Sequence, residues 1–168
     1  MAKREIEGSR AIVTGASSGI GRELVRQLAA AGSKVVAVAR REDRLRELVE
    51  QVATDGGTAE AVSGDVTDAD LRGRVIETAR DRFGGLDILV NNAGIGATGL
   101  FEDADAARVR RIMEVNFFAT VEMTRAALPL LVASDRGIVV NVSSILGHRG
   151  VPHNSEYCAS KFAVHGFS

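Results

Sequence analysis

Tryptophan is missing from this 168-residue chain, and tyrosine and cysteine occur once each, at Tyr157 and Cys158. A lone cysteine excludes an internal disulfide and fits a reducing compartment, the cytoplasm. Cys158 reads as an ordinary helix position. Charge of one sign is not in excess: Lys+Arg 21 against Asp+Glu 22 leave a formal −1, which excludes the basic footprint of a nucleic-acid binder. Long apolar runs are lacking too. The longest, at 86–90 and 138–142, have strand length and cannot span a bilayer. The charged opening MAKREIEGSR has no signal-peptide core. His148, His153 and His165 lie apart, with no Cys or acidic partner at ligand spacing, so no metal is expected.

What is present is a 45% hydrophobic chain, enough for the core of one domain. Short β-rich runs at 11–14, 34–39, 58–62, 86–91 and 137–143 alternate with stretches of helical period. Ile12-Val13, Val35-Val36 and Ile138-Val139-Val140 are continuous rather than alternating, as strands covered on both faces should be. Ile20, Leu24 and Leu28 mark a first helix, stopped by Gly32. A second follows Leu45, Leu48, Val49 and Val52 and ends at Gly56-Gly57. The third carries Leu71, Val75, Ala79 and Phe83, with Thr67 or Asp68 as its cap and Gly84-Gly85 as its stop. A long fourth helix, about 105–133, should kink or restart at Pro129. The pattern predicts one α/β domain, a doubly wound parallel sheet in three layers with right-handed crossovers.

The segment Thr14-Gly15-Ala16-Ser17-Ser18-Gly19-Ile20-Gly21 joins the first strand to the first helix. Glycines at 15, 19 and 21 permit a tight turn and bring a pyrophosphate against free helix-end amides. Strand before and helix after supply the context that a glycine fingerprint requires. At the end of the second strand, where many NAD binders carry a carboxylate for the ribose, stand Ala39, Arg40 and Arg41. An arginine there pairs with a 2′-phosphate, so NADP(H) is expected in preference to NAD(H). Asp65-Val66 closes the third strand and Asn91-Asn92-Ala93-Gly94 the fourth, both at carboxyl ends where such sheets bind ligands. Asp65 could accept a hydrogen bond from an adenine amino group.

Tyr157 and Lys161 stand one helical turn apart, which puts phenol and ammonium on one face, about 5–6 Å apart at Cβ. A neighbouring ammonium favours the phenolate, so such a tyrosine can exchange protons with an alcohol or carbonyl oxygen. Taken in order, TGASSGIG, Asp65, NNAG at 91–94, Asn116, Ser144 and Tyr157-Cys158-Ala159-Ser160-Lys161 resemble the short-chain dehydrogenase/reductase family across nearly the whole chain. Its extended members instead show TGxxGxxG, which is lacking here.

The resemblance implies a Rossmann-type sheet in strand order 3-2-1-4-5 and an enzyme that interconverts a carbonyl and a secondary alcohol. Tyr157 would be its general acid/base. Lys161 would support the phenolate and hold the nicotinamide ribose, and Ser144 would hold the substrate oxygen. Ser144 is preferred to Ser143 because it stands thirteen residues before Tyr157, the family's usual separation. Asn116 breaks the apolar face of Ile112, Met113 and Phe117 and so needs polar partners. In the family a water links that asparagine to the lysine. Cofactor contacts would come from Gly15, Ser17, Ser18, Gly19, Ile20, Gly21, Arg40, Arg41, Asp65, Val66, Asn92, Ala93, Gly94, Tyr157 and Lys161. Family members continue beyond the lysine helix with two strands and a substrate loop. The chain is therefore expected to be the front part of a longer reductase, or a silent nucleotide-binding fragment of one. An intact chain would form a homodimer or homotetramer.

Overall fold

A computed structural model describes residues 5–168. Five parallel strands, β1 (Arg10–Thr14), β2 (Lys34–Ala39), β3 (Thr58–Ser63), β4 (Ile88–Asn91) and β5 (Ile138–Asn141), form one sheet in the order β3-β2-β1-β4-β5. Helices α1 (Gly19–Ala30), α2 (Glu42–Thr54) and α3 (Ala69–Phe83) connect the first four strands. The chain then runs through α4 (Ala106–Met113) and α5 (Ala119–Val132) to β5, and α6 (Ser155–Phe167) closes it. The sheet order and the layers are those the sequence implies.

Strand residues alternate between two cores, which explains their unbroken apolarity. Ile12, Val36, Val38 and Leu89 pack against Leu71 and Val75 of α3 and Met123, Ala127 and Leu131 of α5. Ala11, Val13, Val35, Ala37 and Val90 face Val25 and Ala29 of α1 and Leu45, Leu48 and Val52 of α2. Local signals end the helices as read. The Asp68 carboxylate accepts from Asp70 N–H at the start of α3, and Gly84, at φ +80, stops it in the left-handed region.

The fourth helix departs from expectation. It passes through Pro129 to Val132 without restarting. The break lies earlier, at Glu114–Phe118, a π-turn in which Ala119 N–H reaches back five residues to the Glu114 carbonyl. The whole rod, Ala106–Val132, has the length and apolar content of a membrane span, yet Met123, Ala127 and Leu131 bury its inner face on the sheet.

A polar staple pins the amino-terminal end of the sheet. Asp87, 1% exposed, accepts from Arg10 Nε (2.9 Å), Arg10 Nη2 (2.7 Å), Arg10 N–H (2.9 Å) and Ser134 Oγ (2.6 Å). The guanidinium fork holds this carboxylate far below its ordinary range, against the opposing effect of burial.

Candidate active site

At the opposite end of the sheet the glycine turn is tied to the NNAG segment. Thr14 Oγ1 accepts the N–H groups of Asn92 (2.9 Å) and Ala93 (3.0 Å), and Asn92 Nδ2 donates to the Thr14 carbonyl (2.9 Å). The Asn92 side chain thus holds the turn itself. A Cβ at Gly15 (φ +69) would lie 2.8 Å from Asn92 Nδ2, and one at Gly21 only 2.5 Å from it. Gly19 (φ +56) differs, since a Cβ there would meet nothing within 4 Å. Two glycines admit the asparagine and the third faces open space. α1 begins beside it with no side-chain cap from Ser18 and no acid in its first turn, leaving an anion-seeking set of amides.

A cleft of about 210 Å³ opens over this turn, with Gly15, Ser17 and Ser18 on one side and Gly64, Asp65 and Val66 on the other. Arg40, Arg41, Ala93, Gly94 and Ile95 line it as well. Arg41 bridges both turn serines, with Nη2 3.0 Å from Ser17 Oγ and 2.7 Å from Ser18 Oγ. Asp65 Oδ1 accepts from Thr67 N–H (3.0 Å) and Thr67 Oγ1 (2.9 Å). Oδ2 has no partner among the described residues. Burial raises the pKa of Asp65, but the Thr67 donors and the charges of Arg40 and Arg111 outweigh it and hold the carboxyl below its usual value.

A second cavity of about 270 Å³ adjoins the first and shares Gly94 and Ile95 with it. Tyr157, Lys161, Ile20, Asn92, Val142 and Ser143 also line it. The Lys161 ammonium lies 5.7 Å from the Tyr157 ring centre and donates to the Val142 carbonyl (2.9 Å). Lys161 is only 5% exposed, and burial lowers its pKa. The Tyr157 hydroxyl has no protein partner among the described residues.

The adjacent serines divide their duties. Ser143 Oγ donates to the Lys161 carbonyl (3.2 Å), fastening β5 to α6. Ser144 Oγ accepts Leu146 N–H (3.2 Å) as cap of a short 3-10 turn and keeps its proton uncommitted. Ser144 is not among the residues lining the cavity beside Tyr157. Asn116, 1% exposed in the π-turn, is fully engaged by protein. Its Oδ1 accepts Ile95 N–H (2.8 Å), and its Nδ2 donates to the Ile95 carbonyl (3.0 Å) and Ser160 Oγ (2.9 Å). That side chain therefore grips the NNAG loop and α6 directly. A Cβ added at Gly94 would come 3.3 Å from Asn116 Oδ1 and 3.7 Å from Lys161 Nζ, so this glycine lies between them.

Sequence reading missed Thr14, Ser160 and the pairing of Arg41 with the turn serines. Only Thr14 carried a local signal, as the polar end of an apolar strand. His148 and His165, far apart in the chain, stack edge to face at 4.2 Å. No group of three or more metal-ligating side chains forms among the described residues.

The sequence model of the short chain dehydrogenase family matches residues 9–168. A short chain dehydrogenase of Pseudocercospora fijiensis is 37% identical over 97% of this chain and 53% of its own length. Ketoacyl reductase HetN of Nostoc is 36% identical over 93% of this chain and 54% of its own. Human dehydrogenase/reductase SDR family member 7 is 38% identical over 92% of this chain and 47% of its own. The chain thus spans about half the length of these curated relatives. A solved structure from Sinorhizobium meliloti, described as that of a short-chain alcohol dehydrogenase, superposes with a TM-score of 0.90. It is 34% identical, over 98% of this chain and 66% of its own.

Proposed function

The chain belongs to the short chain dehydrogenase family, and on that footing we propose an NADP(H)-dependent oxidoreductase that interconverts a carbonyl and a secondary alcohol. One adjacency carries the reading. The cavity holding Tyr157 and Lys161 meets, at Gly94 and Ile95, the cleft that holds the glycine turn, Asp65 and the two arginines. The donor set fits a dinucleotide along its length: helix-end amides for the pyrophosphate, the open Asp65 Oδ2 for adenine, and Ile20, Ile95 and Val142 as apolar walls at the other end.

When bound, the dinucleotide supplies or accepts the hydride; the chain supplies the proton and the alignment. Tyr157 Oη, without a protein partner among the described residues, gives its proton to the carbonyl oxygen and recovers it in the reverse direction. Lys161 spends one of its three donors on Val142 and keeps two for the ribose and the phenolate side. Its ammonium lies 5.7 Å from the Tyr157 ring centre. Ser144, next in the chain to the cavity-lining Ser143, keeps a hydroxyl proton uncommitted that would serve the substrate oxygen, where negative charge grows. Asn116 and the cavity-lining Ser143 hold α6 in place, the first to the π-turn and the second to the segment after β5.

The choice of NADP(H) over NAD(H) rests on Arg41, which the Ser17 and Ser18 hydroxyls steady at the lip of the cleft with Arg40 beside it. A fluorescence titration should give tighter binding of NADPH than NADH. Arg41→Ala should weaken NADPH by about 10–100-fold, the worth of a hydrogen bond to a charged group, and barely change NADH. Equal affinity of the unaltered chain for both would remove the NADP assignment. A second reading, a nucleotide-binding unit without turnover, is favoured by the place of Ser144, which does not line the cavity beside Tyr157. NADPH binding with no oxidation across a panel of ketones and aldehydes would select it.

A further inference from the structure

Each member of the Tyr157/Lys161 pair is preceded in sequence by a side chain that fastens α6 to the α4–π segment. Ser160, before Lys161, takes the Asn116 amide. Glu156, before Tyr157, is 3% exposed, and its Oε1 accepts Arg108 Nε of α4 at 2.8 Å and Nη2 as well. Asp105 in turn caps the Arg108 N–H, so the guanidinium springs from a fixed helix end. α6 has no side-chain cap of its own at Asn154. Its first turn is instead held by the Glu156 carboxylate and by the approach segment, where the His153 carbonyl accepts Gly99 N–H (2.9 Å). The Glu156 carboxyl titrates below its ordinary value because its own backbone N–H and then Arg108 bond its charged form, against the opposing effect of burial.

We propose that the Arg108–Glu156 fork is a positioning device for Tyr157, fixing the rotation of the first turn of α6 and hence the direction of the phenol. Successive helix residues point about 100° apart, so a carboxylate locked toward α4 commits its neighbour to the cavity lined by Lys161 and Val142. Neither Arg108 nor Glu156 lines that cavity; they act through the helix. The catalytic consequence rests on the function proposed above, whereas the positional consequence can be read without turnover.

The chain has one tyrosine, so labelling the intact chain with 3-fluorotyrosine gives one fluorine resonance, that of residue 157. Arg108→Ala should shift or broaden it and lower kcat by about 10–100-fold, the scale of a small misalignment, while the KM for NADPH stays as in the unaltered chain. Arg108→Met with Glu156→Leu replaces this half-buried pair by apolar packing, an exchange that restores stability in many buried pairs. Its melting temperature should recover while the resonance and kcat do not. This double variant also decides the matter if Arg108→Ala fails to fold. A native resonance and kcat in either folded variant would overturn the proposal. If the unaltered chain turns over no carbonyl, the proposed function fails separately and the resonance still judges the fork.

Discussion

Tyr157→Phe should abolish carbonyl reduction, with a loss of about 10²–10⁴-fold, the usual worth of a positioned proton donor, and leave NADPH affinity nearly intact. The size of the effect follows from how the cavity's other polar groups are engaged. Lys161 Nζ donates to Val142, Ser143 Oγ to the Lys161 carbonyl, and Asn92 Nδ2 to the Thr14 carbonyl. Only the Tyr157 hydroxyl combines a place in the cavity wall with no protein partner among the described residues. No second tyrosine exists to replace it. Phenylalanine keeps the ring beside the Lys161 ammonium, which preserves packing and the ribose donors, so melting temperature should hold. Steady-state kinetics beside an NADPH titration checks both halves. Turnover retained in this variant would dismiss Tyr157 as the acid/base.

Removing Asp87 should be the costliest change to the fold. Asp87→Ala leaves Arg10 facing a buried gap and strips the Ser134 hydroxyl and the Arg10 amide of their acceptor. Breaking one side of a fully buried pair costs about 3–5 kcal/mol; with the Arg10 side chain 27% exposed the loss lies toward the low end, still a large share of a stability of about 5–15 kcal/mol. The same carboxylate sets the acid limb. Its pKa in the folded chain lies far below the unfolded value of about 3.9. Its contribution is therefore complete above that unfolded value and is lost as pH falls toward the folded one. Denaturant unfolding at neutral pH and at decreasing acidic pH should show a steep decline in the unaltered chain and a flatter one in Asp87→Ala. Similar stability of the two chains at neutral pH would contradict the staple.

Much of this was legible in sequence because it is local or periodic. Continuous Val/Ile runs announced strands covered on both faces, and Asp68 and Gly84 bounded α3 through their own backbone chemistry. The glycine turn was legible as a turn, but not the division of labour within it, since Asn92 enters from seventy-odd residues away to occupy the space at Gly15 and Gly21. Pro129 drew attention as the breaker of the fourth helix, while the real irregularity sits at Glu114–Phe118. It lies where Asn116 engages both Ile95 and Ser160, a tertiary demand that no propensity encodes. Arg41 was visible as a charge, but its seat between Ser17 and Ser18 depends on the sheet bringing two loops together. The Arg108–Glu156 fork was invisible for the same reason.

In the proposed function the glycine turn and the Tyr157–Lys161 pair hold the two ends of one dinucleotide. With a single tyrosine and no tryptophan, the ultraviolet emission of the intact chain comes from Tyr157 alone, and dihydronicotinamide absorbs where tyrosine emits. Titration with NADPH should quench that emission nearly to completion. Adding 2′,5′-ADP, which carries the adenine end without the nicotinamide, should displace NADPH and restore it. Calorimetric binding of NADPH with undiminished Tyr157 emission would show that the phenol does not lie at the nicotinamide end, and the account would fail.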